Sequence, residues 1–281
     1  MTTITENGSQ SRPPRERPAP GRQMTVGQLL LSEWAKLFTV RSTTFTLLLA
    51  LVLGVGFGLL FTAAGARDYL DASAAVQRDF DPVATSTGSY IFAQLALGSV
   101  GVSVFASEYA TGTIRTSLTS VPRRGRLLAA KTVAFTAVAV VAGQVIAFLT
   151  FFAGQAVLSA RQVPYVSLGD SDVPRAVIGC GLYLAAVGVL GLAFGALVRS
   201  TTIGLVLVTG ATLVVPAVTS ALPEVWRDRT QKWWPPSAAE HVMEINPSGG
   251  SLGPGAGLGL LVLSVVVLLV AAFGVFRTRD A

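Results

Sequence analysis

The chain has 281 residues, of which 13% are charged and 51% apolar, with a formal net charge of +6. Soluble domains carry about 25% charged residues, so a chain of this length with so little charge is not an ordinary soluble globule. The basic residues sit in short loops beside apolar runs, which is a membrane-topology signal rather than a nucleic-acid footprint.

Residues 1–23 are polar, rich in Pro and Arg, and lack apolar periodicity, which predicts a disordered tail. In 24–41, Val26, Leu29, Leu30, Trp34, Leu37 and Phe38 follow helical spacing, opposite Gln28, Ser32, Glu33 and Lys36. This stretch is too charged to cross a bilayer. It suits an amphipathic helix in the interface, or one facing solvent.

Six runs are apolar and long enough to cross a hydrocarbon core of about 30 Å, which takes about 20 helical residues. They are 43–64, 86–107, 128–158, 176–198, 201–222 and 256–276. The second carries Gln94 and several serines, so it is expected to face protein or a cavity. The third is overlong, so it is expected to project or tilt. Gly188, Gly191 and Gly195 in the fourth favour close helix packing. Cys180 lies in that run too and is expected to be a small packed residue.

Orientation follows the basic residues. With the amino terminus inside, 14 of them are cytoplasmic: Arg12, Arg15, Arg17, Arg22, Lys36, Arg41, Arg115, Arg123, Arg124, Arg126, Lys131, Arg199, Arg277 and Arg279. The other 7 are external: Arg67, Arg78, Arg161, Arg175, Arg227, Arg229 and Lys232. The fold class is therefore an all-α membrane protein with six transmembrane helices, an N-terminal cytoplasmic interface helix and both termini cytoplasmic. The external segment 223–255 holds Trp226, Trp233 and Trp234 before Pro235-Pro236. It is either re-entrant toward the bilayer or an exposed loop.

The richest connection is 108–127, after the second run. Gly112-Thr113 breaks the span, Ile114 to Val121 has room for two helical turns, and Pro122 ends them. A short amphipathic helix under a bundle is a natural docking knob for a cytoplasmic partner. Glu108-Tyr109, Gly112-Thr113-Ile114-Arg115, Leu118, Val121-Pro122-Arg123-Arg124 and Ala130-Lys131, together with Ser32 to Thr43 (SEWAKLFTVRST), resemble the corresponding segments of ABC-2 type permeases, especially actinobacterial ones. The resemblance covers 25–281.

That resemblance implies the permease subunit of an exporter in which two permeases, identical or different, meet in the membrane above two ATPase subunits. In it the loop after the second span carries a coupling helix. Glu108, Gly112, Thr113, Arg115 and Thr116 would then transmit movement, while Glu33, Trp34, Lys36 and Arg41 would support the interface. The implied substrate path runs past Gln94, Ser99, Ser103, Thr209 and Thr212. On the plainer reading Gly112 only ends a helix and the arginines only set topology.

No GxxxxGK[ST] occurs, so ATP and its Mg would be bound by another chain. No catalytic residue is assigned. His241 with Glu244 lacks a second histidine, so no metal site is assigned either. An ion-driven carrier generally needs ionisable groups inside its spans, and the middles of these six hold none. A protease is disfavoured by the lack of HExxH. A non-transporting scaffold or sensor partnered with an ABC ATPase stays open.

Overall fold

The computed structural model describes residues 25–39, 41–112, 124–245 and 252–278. The tail 1–23 and most of the loop, including Thr113, Arg115 and Thr116, lie outside the described residues. Among the described residues the only regular structure is helical. Six helices are long and apolar enough to cross a membrane, so the chain is a multi-pass membrane protein.

The amphipathic stretch forms α1 (Val26–Thr39). The first span, α2 (Arg41–Asp71), runs for 31 residues, about 46 Å at 1.5 Å per residue. It continues past the apolar run because Ala66 packs against Leu158 and Val163 beyond it, with Tyr69 and Phe80 alongside. Two short helices follow, α3 (Ala74–Arg78) and α4 (Pro82–Thr87). Asp81 caps α4 by accepting from the amides of Val83 and Ala84 at 2.8 and 2.9 Å.

The second span, α5 (Tyr90–Ala110), is half buried. The third, α6 (Arg124–Ala160), has 37 residues, about 55 Å, so the expected excess length is present as one continuous helix. The fourth, α7 (Val173–Val198), is the most buried and forms the centre, packed on α5 and α6. Its glycines explain how. A Cβ on Gly191 would collide with the Gly98 carbonyl oxygen, and one on Gly195 would stand 2.6 Å from that of Val102. Opposite them, a Cβ on Gly101 would strike the Gly188 carbonyl oxygen. The α5 and α7 backbones are in contact, as small-residue packing requires.

The fifth span is not one regular helix. It divides into α8 (Thr201–Thr209), a π-helical turn (Gly210–Val214) and α9 (Val215–Ser220). The cause is Pro216, whose ring and missing N–H disturb the ladder one turn earlier. In π register the Ala211 carbonyl would look five residues on, to that proline. The Trp234 indole supplies the missing donor, Nε1 to Ala211 oxygen at 2.7 Å.

The segment after the fifth span is folded. Helix α10 (Glu224–Trp233) has no buried residue and exposes Trp226 and Trp233. Helix α11 (Pro235–Glu240) and a 3₁₀ turn (His241–Met243) bury Pro236 to Ala239, Val242 and Met243. They pack on α7 and on the sixth span, α12 (Pro254–Thr278). Of the two alternatives, α11 therefore sits against the bundle, while α10 is the exposed part.

Candidate functional site

Where α1, α5 and α6 meet, an apolar layer of Leu29, Phe105, Leu127, Leu128 and Ala130 closes round four charged groups. Lys131 stands at their centre, its side chain only 3% exposed. Its ammonium donates to Glu33 Oε2 at 2.6 Å and to Glu108 Oε1 at 2.7 Å. Lys36 donates to Glu33 Oε1 at 2.6 Å and lies 3.6 Å from Glu108 Oε1. Among the described residues these two carboxylates and two ammonium groups balance one another, the condition under which charges survive burial.

Geometry follows from sequence at each corner. Glu33 and Lys36 are three residues apart on one face of α1. Glu108 is in the last turn of α5, and Lys131 two turns into α6. Burial pulls the Lys36 amine down, but Glu33 and Glu108 outweigh it and hold the group above the ordinary lysine range. Glu108 Oε2 is buried with no hydrogen-bond partner among the described residues. Arg199, at φ 55° where α7 ends, lays its guanidinium over the Tyr109 ring at 5.0 Å.

The other predicted residues are placed as follows. Gly112 follows the α5 cap at φ 72°, with nothing within 4 Å of where a Cβ would be, so backbone conformation rather than space selects glycine there. Trp34 packs at a tilt against Phe38, ring centroids 5.4 Å apart, and both line an apolar groove of about 370 Å³ between α1, α2 and α6. Arg41 is exposed at the first residue of α2.

Gln94 is buried and accepts from the Tyr183 hydroxyl at 2.6 Å. Ser99 and Thr212 bond to their own helices, at Ala96 and Val208 oxygens. Ser103, which accepts from Ser107, and Thr209 are half-buried. Helices α5 and α8 do pack together, with Gly98 against Val208 and Gly204 against Val102.

Sequence reasoning counted Lys131 as topology and loop motif, not as a site residue. The missed signal was its position inside the third apolar run, where a charge demands a partner.

Comparison with family models gives no match, and comparison with curated proteins gives none.

Proposed function

We propose that this chain is the permease subunit of an ATP-driven exporter, seated in the cell membrane with both termini cytoplasmic. Two copies, or this chain and a related one, would form the pathway above a separate ATPase. The observation that carries the reading is Lys131 bonded at once to Glu33 and Glu108. A force on either α1 or the loop after α5 is thereby delivered to the same point on α6. A helix lying beside the bundle has little reason to be tied by buried charges unless its position matters to the spans. Glu108 Oε2, buried and without a hydrogen-bond partner among the described residues, leaves the junction one acceptor for a partner subunit to meet.

Gentle purification of the chain from its own membrane tests this reading. The purified complex should hydrolyse ATP, and the chain stripped of its partner should not. Absence of any copurifying ATPase, or hydrolysis by the stripped chain alone, contradicts it. A complex that hydrolyses ATP but moves nothing across a reconstituted vesicle identifies the scaffold or sensor instead.

A further inference from the structure

At the end of the bundle away from α1, a second buried polar group joins three elements. Glu240 closes α11, and its Oε1 lies 3.4 Å from the Tyr183 hydroxyl of α7. That hydroxyl has one proton and stands 2.6 Å from Gln94 Oε1 of α5, to which it is committed. Tyr90, stacked edge-on against Tyr183, also reaches the Glu240 carboxyl.

Among the described residues no cation forms an ion pair with this carboxylate, and the neighbouring His241 ring is the one cationic group that draws it toward the charged form. His241 is turned to Glu244, 3.2 Å from each of its oxygens. Arg175 of α7 spends its guanidinium on the Val242 and Glu244 carbonyls and on Asp172. Asp81, ahead of α4, accepts from the Ile245 amide and adds only negative charge. Cys180 of α7 is buried nearby. Helix α12 presents no titratable side chain from Pro254 to Val275. The charges of α10, the last of them Lys232, are on an element with no buried residue, and among the described residues Glu240 has no ion-pair partner.

We infer that Glu240 is a proton-binding site that latches the α11 segment to the helix bundle. In the neutral form Glu240 donates to the Tyr183 oxygen while Tyr183 donates to Gln94, so every group in the chain is satisfied. Ionisation removes the first link and leaves a charge in an apolar seat. The seat itself is tight: a Cβ on Gly257 would strike the Ala238 carbonyl, and one on Gly179 would stand 2.5 Å from Val242. Such packing does not relax around a new charge.

Burial, the largest cause, pushes the Glu240 carboxyl up from 4.5 to about 7, against the polar Tyr90 and Tyr183 hydroxyls and the His241 ring, which pull it down. The docked segment thus holds its proton more tightly than the undocked one. The Glu240 contribution to docking is strongest in acid, weakens as pH rises from about 4.5 to about 7, and is flat above, while His241, held above its ordinary range by Glu244, adds a separate loss as it deprotonates. The inference does not depend on the transport reading.

The test uses the full chain in lipid nanodiscs with Cys180→Ala and His241→Gln, the second to remove the neighbouring group that titrates in the same range. Ser237→Cys places a thiol in the buried α11, and Ser73→Cys, at an exposed site, calibrates reagent and thiolate chemistry. The labelling rate of Ser237→Cys relative to Ser73→Cys should rise by at least about tenfold between pH 5.5 and 8 and level off above 7. In Glu240→Gln the ratio should be flat. A flat ratio in the Glu240 background overturns the inference, as does an unchanged rise in Glu240→Gln. Infrared spectra of the unmutated chain supply an independent arm. A protonated-carboxyl band should persist to near pH 7, and its loss by pH 5 contradicts the proposal.

Discussion

Lys131 is the residue on which the α1 end of the bundle depends. Removing one partner of a buried ion pair strands the other and costs about 3–5 kcal/mol. Lys131→Met leaves Glu33 and Glu108 facing each other with only the half-exposed Lys36 between them. Its thermal unfolding in detergent should therefore fall by an amount of that order. Adding Glu33→Gln and Glu108→Gln in the same chain should restore most of the loss, because the only charge left unpaired is that of Lys36, which is half-exposed to solvent. A Lys131→Met chain as stable as wild type would show that the junction is solvated. Gly112 is a smaller case. A β-branched side chain in the left-handed region costs about 1–2 kcal/mol, so Gly112→Val should fray the end of α5, seen as faster amide exchange at Tyr109 to Gly112. Unchanged exchange there would mean that the turn tolerates a side chain.

Among the elements, the α5–α7 contact has the least tolerance. Gly191→Ala places a methyl where the Gly98 carbonyl stands, and forced overpacking costs about 1–3 kcal/mol. A stability equal to wild type would mean the helices separate more easily than their backbone contact implies. Apolar run length made the six spans legible in the sequence, and small-residue spacing marked the α7 side of this contact but not its partner, because both are properties of single helices. The ends were less legible. Arg41 and Asp71 belong to α2 although no apolar run includes them, since hydrogen bonding and the α6 tip carry the helix onward. The π turn was missed because Pro216 reveals its effect only with the Trp234 donor in place. Glu33, Glu108 and Lys36 were legible as candidates, but their meeting at Lys131 depends on how α1 lies against α6, which no local pattern encodes. Glu240 left no local signal at all, for its partners come from α5 and α7.

For the whole molecule, orientation rests on the distribution of basic residues. Single cysteines at Thr39 and Ser171, both exposed and at opposite ends of the spans, should label differently in intact cells. In a Cys180→Ala background an impermeant reagent should modify Ser171→Cys and spare Thr39→Cys. The reverse pattern would turn the α1 junction outward and remove the basis for an ATPase there. The proposed function asks more of the junction than stability, since it must transmit force. The Lys131→Met, Glu33→Gln, Glu108→Gln triple variant separates the two, because it restores packing but replaces buried charge-assisted bonds with weaker neutral ones. The decisive measurement is export per ATP hydrolysed in vesicles containing the chain and its copurified ATPase, wild type against this triple variant at matched folded content. The account predicts hydrolysis without proportionate export in the triple variant. Export per ATP equal to wild type would reduce the junction to a structural tie and contradict the coupling role.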